Sequence, residues 1–250
     1  MRLRLARWGK RVAGFVGLRI GRAGAENRFD GMLTSLRQLR RRGYAPGVVI
    51  DGGANVGQWT ALASSVFPEA HFHLIEPQRE CHRHLASAFS GPRFTLHPVA
   101  VTAPGLGSLS MLDDGTGSTG ATVVTGSGGS GLPTTVVPAT TLDDLLAGSI
   151  RATDHVLLKL DLESHELEAL RGAASLLRQV EVIFCEVCFF DVGNQGFPVF
   201  ADIFGHLREA GFVLYDVASL SPRQRDQRLR MGDVVFVHER SSLLSDVAWE

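Results

Sequence analysis

The chain has 250 residues and a mass of 27.0 kDa, which corresponds to one sizeable domain or to a domain with an added arm. Its hydrophobic fraction of 44% excludes general disorder, and its uncharged apolar runs are shorter than the roughly 18–20 residues of a membrane-spanning helix. Residues 1–46 contain eleven arginines and Lys10 against two acids, a net charge of +10, so the total of −1 leaves −11 for the remainder. We therefore expect a basic arm over 1–46 and an acidic body.

The arm begins with a basic amphipathic pattern, because apolar side chains recur at helical spacing between arginines over 5–16. Such a helix can lie on an anionic membrane surface, or it can pack on the body or on a second subunit of a homo-oligomer. The apolar stretch at 12–18 is short and is followed by arginines, so we expect no secretory signal. A second helix is predicted over 29–42, where Gly43 ends it.

The chain contains three cysteines, Cys81, Cys185 and Cys188. This odd, low count does not suggest a disulfide scaffold and fits a reducing compartment, so we expect a cytoplasmic protein, with peripheral membrane contact through 1–46 left open. Cys185 and Cys188 form a C-x-x-C inside an apolar run without a second pair, and we interpret them as buried strand thiols rather than as a zinc or redox site.

From residue 47 onward, short apolar runs alternate with helical stretches. Strands are predicted at 47–51, 71–77, 94–101, 155–162, 180–187, 212–216 and 233–238, and helices at 58–66, 79–89, 166–179 and 199–210. This alternation is typical of parallel βαβ units with helices on both faces of the sheet. We expect a single α/β domain over 47–240 and a C-terminal tail over 241–250.

Residues 102–140 interrupt the alternation, and positions 105–131 hold nine glycines among many serines and threonines. One interpretation is a hairpin excursion, because residues 108–112 and 134–137 can form short strands. The other is a flexible surface loop. A long loop of this kind can also act as a lid over a site.

A glycine-rich turn, DGGANVG at 51–57, follows the first predicted strand. Doubly wound sheets bind ligands at the carboxyl ends of their strands, where this turn lies. The spacing is not the dinucleotide fingerprint, since Ala54 stands where the second glycine would be, and this argues against a nicotinamide oxidoreductase. Asp51 would repel a diphosphate but suits a ligand that carries an amine or a sulfonium, such as S-adenosylmethionine.

Glu76 ends the second strand, 25 residues after Asp51, and Pro77 prevents the strand from continuing. An acid at this place can accept hydrogen bonds from both hydroxyls of a ribose. Asp51 could instead cap the turn, and Glu76 could be a surface strand end. Together, in this strand context, the two acids predict a nucleoside-binding doubly wound domain.

The segment LKLDLESHE at 158–166 places Lys159, Asp161 and Glu163 on one face of a strand and its exit. Charges on a central strand are costly unless they pair or serve a site, and Lys159 could pair with one of the carboxylates. Glu186 ends the next strand. His165 is a further candidate base, although we favour a surface helix residue.

Several of these segments resemble the FkbM-type methyltransferases, in matching order over 47–238. They are DGGANVG at 51–57, Glu76-Pro77, TLDD at 141–144, LKLDLESHE at 158–166 and MGDVVFV at 231–237. The resemblance implies a class I methyltransferase fold, which is a Rossmann-like, doubly wound, mostly parallel seven-stranded sheet with an antiparallel edge strand, here with an N-terminal helical arm. It also implies S-adenosylmethionine as cofactor and methyl transfer to hydroxyls of sugars, glycolipids or polyketide-like metabolites.

The resemblance places the cofactor against Asp51, Gly53, Asn55, Gly57 and Glu76, with Ala100 near the adenine, and we expect Ala54, Pro77 and Asp161 beside them. This chain departs from the family where a glycine normally follows the second acid of D-x-E-G, because Ser164 and His165 stand there. The turn must therefore accommodate a side chain.

An alcohol acceptor must lose a proton, so a base or a metal ion is needed. The candidate bases are Asp161, Glu163, His165 and Glu186, with Lys159 tied to the same strand. Asp161, Glu163 and Glu186 could alternatively hold a divalent ion, which we do not expect. A noncatalytic scaffold of the same fold and a nucleic-acid methyltransferase remain as alternatives, but the acidic body argues against nucleic acid as a partner.

Overall fold

The computed structural model describes residues 27–112, 123, 134–151, 153–191, 193 and 195–248. The helices are α1 (Arg28–Arg41), α2 (Gln58–Val66), α3 (Arg79–Ala88), α4 (Leu142–Leu145), α5 (Glu166–Arg171) and α6 (Phe200–Glu209), with short 3₁₀ turns at Leu176–Arg178 and Ser242–Leu244. The strands are β1 (Val48–Gly52), β2 (His71–Ile75), β3 (Phe94–His97), β4 (Ala100–Val101), β5 (Ser108–Leu112), β6 (Thr134–Thr140), β7 (Val156–Leu160), β8 (Val180–Cys188), β9 (Phe212–Pro222) and β10 (Leu229–His238).

Seven strands form the main sheet in the order β3-β2-β1-β7-β8-β10-β9. The pairs between β3 and β8 are parallel, whereas β10 pairs antiparallel with both β8 and the edge strand β9. This confirms the predicted mostly parallel, doubly wound sheet. Strands β2 and β3 follow β1 on one side of the sheet, whereas β8 follows β7 on the other side. The switch point of the topology therefore lies between β1 and β7.

The central strands are buried on both faces, which explains their uninterrupted apolar sequence. Successive residues point to opposite faces, so Ile50 and Leu158 join one core while Val49 and Leu157 join the other. Helix α1 adds Met32 to the second core and packs against β9 and α2. The helix predicted over 29–42 is therefore confirmed as a helix, and the structure packs it on the body.

The amphipathic pattern at 5–16 lies outside the described residues, so the roles proposed for it at a membrane or a second subunit stay predictions. Among the helices that the structure does describe, none is long and apolar enough to cross a membrane.

Strands β4, β6 and β5 form a second, three-stranded sheet, in which β5 and β6 pair antiparallel. This confirms the hairpin interpretation of residues 108–112 and 134–137. The strand predicted over 94–101 is wrong as a single element, because it splits into β3 of the main sheet and β4 of the small one. Pro98 lies at the division, and it has no N–H with which to continue a ladder.

The helix predicted over 166–179 begins at the predicted residue but is too long, because α5 ends at Arg171. The chain passes so close to the first strand of the small sheet that a Cβ on Gly172 would lie 2.1 Å from the Thr102 carbonyl oxygen. The Asp143 carboxylate then accepts hydrogen bonds from the backbone N–H groups of Ser175 and Leu176, and this starts a separate 3₁₀ turn.

The thiols agree with the sequence interpretation. Cys81 and Cys185 are buried and Cys188 is half-buried, all three free. Burial raises the pKa of each thiol, which disfavours the reactive thiolate.

Candidate functional site

A cleft opens at the carboxyl ends of β1, β2 and β7 and is bordered by Ala100 of β4 and Met111 of β5. This is the place where doubly wound sheets bind ligands. The predicted site residues that line it are Gly53, Ala54, Asn55, Glu76, Pro77, Ala100, Lys159, Asp161, Glu163 and His165. Three other predicted residues, Asp51, Gly57 and Glu186, lie outside this lining.

The turn after β1 depends on Gly53, whose φ of 75° is unfavourable for other residues. A Cβ at this position would lie 2.0 Å from the carbonyl oxygen of Asp161. The backbone N–H groups of Gly53 and Ala54 both donate to the Ile75 carbonyl, at 3.0 and 3.1 Å. These contacts hold the turn against the ends of both β2 and the segment that follows β7.

Glu76 connects this turn to the end of β2. Its side chain is buried, with Oε2 2.7 Å from the backbone nitrogen of Asn55 and Oε1 2.8 Å from that of Gln78. Burial raises the pKa of Glu76, and the two hydrogen bonds partly oppose that rise. A carboxylate offers about four lone-pair sites, so acceptor capacity remains on Glu76 for ligand hydroxyls.

Asp51 lies beneath the cleft, fully buried. Its carboxylate accepts a hydrogen bond from Thr60 Oγ1 at 2.6 Å, and Lys159 Nζ lies 3.0 Å from Oδ1. Direct contact of Asp51 with the cofactor stays a prediction. Gly57 also lies outside the cleft wall. A Cβ at this position would lie 2.2 Å from the Phe89 ring, so the glycine allows this ring to pack closely against the turn.

Lys159 joins the two sides of the cleft. Besides Asp51, its ammonium donates to the carbonyl of Gly53 at 2.8 Å and lies 3.7 Å from Asp161 Oδ2. Burial lowers the pKa of Lys159, but attraction to Asp51 and Asp161 outweighs burial, and the net change is upward. Lys159 is therefore a buried ammonium that fixes the turn after β1 against the acidic side.

The acidic side contains Asp161, Glu163 and Glu186, each with a carboxylate oxygen within 4.8 Å of the others. Burial raises the pKa of Glu163 to about 7, with repulsion from Asp161 as the next cause. Burial and the same repulsion also raise the pKa of Glu186. Three carboxylates suit a hard cation such as Mg²⁺, and the expectation that they hold no metal ion stays a prediction.

Sequence reasoning missed Arg28 and Asp233. The Arg28 guanidinium lies 3.2 Å from Asp161 Oδ2 and 3.0 Å from Glu186 Oε1, and it contacts Asp233 through both Nε and Nη2. Asp233 is a signal that could have been noticed, because an acid in the middle of a buried strand requires a partner. Arg28 carries no local signal, since it is separated from Asp233 by 205 positions.

The interpretation of His165 as a surface residue is wrong. The side chain is buried, lines the cleft and places Nε2 3.0 Å from Thr102 Oγ1. Burial lowers its pKa, so the imidazole is neutral at pH 7.

The backbone before His165 explains this inward position. Glu163 and Ser164 have φ values of 52° and 77°, so the chain makes a left-handed turn at the position where the family has glycine. Glu166 holds the same turn, because its carboxylate accepts from the Leu162 backbone N–H at 2.6 Å. The turn is therefore left-handed in this chain although a serine stands at the glycine position.

The strand order and the cleft at the switch point define a class I methyltransferase fold. A family model for the methyltransferase FkbM domain matches residues 51–214. The match covers more than half of the chain, and the chain therefore belongs to the FkbM methyltransferase family. Membership implies methyltransferase activity with S-adenosylmethionine as the methyl donor.

Remote similarity extends to several solved methyltransferases. Precorrin-6y C5,15-methyltransferase from Geobacter metallireducens is 15% identical, with 84% of this chain and 86% of that chain covered and a TM-score of 0.44. A Burkholderia thailandensis 1,6-didemethyltoxoflavin-N1-methyltransferase, with bound 1,6-didemethyltoxoflavin and S-adenosylhomocysteine, is 13% identical. The match covers 85% of this chain and 79% of that chain, with a TM-score of 0.46. An S-adenosylmethionine-dependent methyltransferase from Leishmania major is 12% identical, with 90% of this chain and 76% of that chain covered and a TM-score of 0.46. A comparison with curated proteins finds no match.

Proposed function

We propose that this protein is an S-adenosylmethionine-dependent O-methyltransferase that methylates a hydroxyl of a sugar, glycolipid or polyketide-like metabolite. The observation that carries the proposal is the composition of one cleft. The cleft joins a nucleoside-type wall, with Glu76 at the end of β2, to a wall that carries Asp161 and Glu163.

The residues present fit the cofactor. Glu76 retains acceptor capacity for ribose hydroxyls, and Ala100 offers an apolar surface for a base. Trp59 also lines the cleft, and its buried indole N–H has no hydrogen-bond partner in the described ranges. The carboxylates of the cleft attract a cationic ligand and repel a phosphate. When bound, S-adenosylmethionine supplies a methyl group activated by the positive charge on its sulfur.

Glu163 is the side chain best suited to accept the proton of an alcohol. A general base works best when its pKa lies near the working pH, and the pKa of Glu163, which burial raises to about 7, meets this condition. Asp161 is less suited, because its Oδ2 faces both Lys159 and Arg28. We propose that Asp161 holds Arg28 and Lys159 in position and adds negative charge to the cleft.

A second cavity offers space for the acceptor molecule. It adjoins the cleft and shares Glu163 and His165 with it. Its remaining wall includes Phe197, Arg171 and Asp202, which combine an aromatic face with charged groups. A molecule with an apolar face and several hydroxyls would match this wall, and its reacting hydroxyl could reach Glu163.

The test is methyl transfer from labelled S-adenosylmethionine to a panel of glycans, a glycolipid, a polyketide-type alcohol, amines and an oligonucleotide. We expect a methyl ether, identified by mass spectrometry of the product. An N-methyl or C-methyl product would overturn the O-methyltransferase assignment. Cofactor binding without transfer to any member of a broad panel would favour the noncatalytic scaffold.

A further inference from the structure

Arg28 brings a positive charge from the first turn of α1 into the catalytic cleft. Its guanidinium contacts acids that three different strands present: Asp161 after β7, Glu186 on β8 and Asp233 on β10. The contact with Asp233 is bidentate, with Nε 3.1 Å from Oδ2 and Nη2 on Oδ1. Bidentate pairs fix the orientation of a guanidinium, which a single-point ammonium contact does not.

The position of Arg28 is set by the packing of its helix. Asn27 caps α1 by accepting from the Phe29 backbone N–H, and this fixes where the helix begins. About two turns further on, Ser35 donates to Asp216 of β9 at 2.9 Å, and Leu36 is fully buried. The helix that carries Arg28 is therefore anchored to the body by these contacts.

The acids around Arg28 need a cation. Asp161, Glu163 and Glu186 have carboxylate oxygens within 4.8 Å of one another in a half-buried site, where like charges repel strongly. Lys159 lies farther than Arg28 from the same oxygen of Asp161, at 3.7 Å, and is closer to Asp51, at 3.0 Å. Within the described part of the chain, the ion pair of Glu186 is the one with Arg28.

We propose that Arg28 is the resident cation of this carboxylate set, where it takes the place that a divalent metal ion would otherwise occupy and positions Asp161 and Glu186. The positioning part rests on the proposed methyltransferase function, whereas the exclusion of metal does not. It follows that the basic N-terminal segment supplies a residue to the site and that methyl transfer requires no added divalent ion.

The electrostatics agree with this geometry. Burial and mutual repulsion raise the pKa values of Glu163 and Glu186, and the charge of Arg28 opposes both rises. The pKa of Arg28 rises although burial alone would lower it, because the three acids stabilise its charge. The guanidinium therefore stays charged at neutral pH.

The test is calorimetric titration of the full chain with MnCl₂, which reports occupancy of the carboxylates without any assay of activity. We compare the wild type, Arg28→Met, Arg28→Lys and the double variant Arg28→Met with Glu186→Gln. The matched control is Arg93→Met, which also removes one arginine from an ion pair, with Glu69 at 2.8 Å, but outside the cleft.

We expect the wild type and Arg93→Met to bind no Mn²⁺ up to about millimolar concentration. We expect Arg28→Met to gain a site that binds Mn²⁺ at least ~10-fold more tightly than this limit. Arg28→Lys should exclude the ion again, and the double variant should lose the gained site. The wild-type enzyme should also retain its activity after treatment with a chelator.

The proposal is overturned if the wild type binds Mn²⁺ as tightly as Arg28→Met, or if folded Arg28→Met gains no site. Arg28→Gln, which keeps hydrogen-bond donors for Asp233, replaces Arg28→Met if the latter does not fold. A parallel titration with S-adenosylmethionine separates the two proposals, because a wild type that excludes Mn²⁺ but binds no cofactor would contradict the proposed function alone.

Discussion

The two walls of the cleft are built in different ways. On the nucleoside wall, Glu76 holds backbone amides only 21 and 2 positions away, at Asn55 and Gln78. On the acidic wall, Arg28 reaches acids 133 and 205 positions along the chain, at Asp161 and Asp233. The first wall therefore follows from a local motif, whereas the second exists only after the sheet has assembled.

The difference extends to chemistry. The nucleoside wall offers neutral donors, one carboxylate and apolar surface, which suits recognition of a ligand. The acidic wall concentrates charge, with Glu163 facing both cavities. If this division is correct, substitutions on the two walls should separate cofactor affinity from turnover.

The largest expected effect on the acidic wall comes from Glu163→Gln. Because the amide cannot accept a proton, we expect turnover to fall about 10²–10⁴-fold while the affinity for S-adenosylmethionine changes little. Steady-state kinetics and calorimetry on the same preparation measure the two quantities. Glu69→Gln, an exposed carboxylate paired with Arg93, is the control and should match the wild type. Equal losses of affinity and turnover would contradict the assignment of separate roles to the two walls.

Lys159→Met tests the connection between the walls. It leaves the buried Asp51 carboxylate without its cation, so we expect the free energy of unfolding to fall by about 3–5 kcal/mol in urea denaturation. Adding Asp51→Asn should recover part of the loss, because the double variant has no unpaired charge. A loss below about 1 kcal/mol would show that the pair does not hold the walls together.

The dependence of turnover on pH sharpens the role of Glu163. The base is active when deprotonated, and the pKa of Glu163 is raised to about 7, so turnover should rise with pH and level off above about 7. Below that value it should fall about tenfold per pH unit. A profile that is already flat at pH 5 would show that a different group accepts the proton.

The smallest expected effect concerns the turn where this chain departs from its family. Ser164 has a φ of 77°, which costs a residue with a Cβ roughly 1–2 kcal/mol, so Ser164→Gly should raise the free energy of unfolding by about 1 kcal/mol. Ser64→Gly is the control within helix α2 and should lower it instead. Destabilisation by Ser164→Gly would mean that the hydroxyl makes a contact more valuable than the relief of strain.

The same contrast explains what could be predicted from the sequence. Helix α2 matches its predicted bounds, and the turn at 51–57 contributes Gly53, Ala54 and Asn55 to the cleft, because glycine spacing and a strand-to-helix transition are local signals. The predicted helix over 166–179 failed because Gly172 packs against Thr102, a contact between segments distant in sequence. A hydrophobicity pattern contains no information on such a contact.

Electrostatic partners were the hardest to predict. Lys159 could be recognised as a charge that requires a carboxylate, but the sequence did not identify Asp51 as the closest one. His165 was misassigned because its burial follows from the left-handed turn at Glu163 and Ser164, where the expected glycine is missing. Arg28 was counted with the basic arm, since net charge along a sequence does not distinguish a surface arginine from one inside a cleft.

The central claim is that Glu76 and the turn after β1 bind S-adenosylmethionine, and titration of the wild type and Glu76→Ala with the cofactor tests it most directly. Removing the carboxylate deletes an acceptor and leaves the backbone N–H groups of Asn55 and Gln78 unpaired. We expect wild-type binding and a loss of about 100-fold or more in Glu76→Ala, with Glu69→Ala unchanged. Unaltered affinity in a folded Glu76→Ala variant would contradict the account.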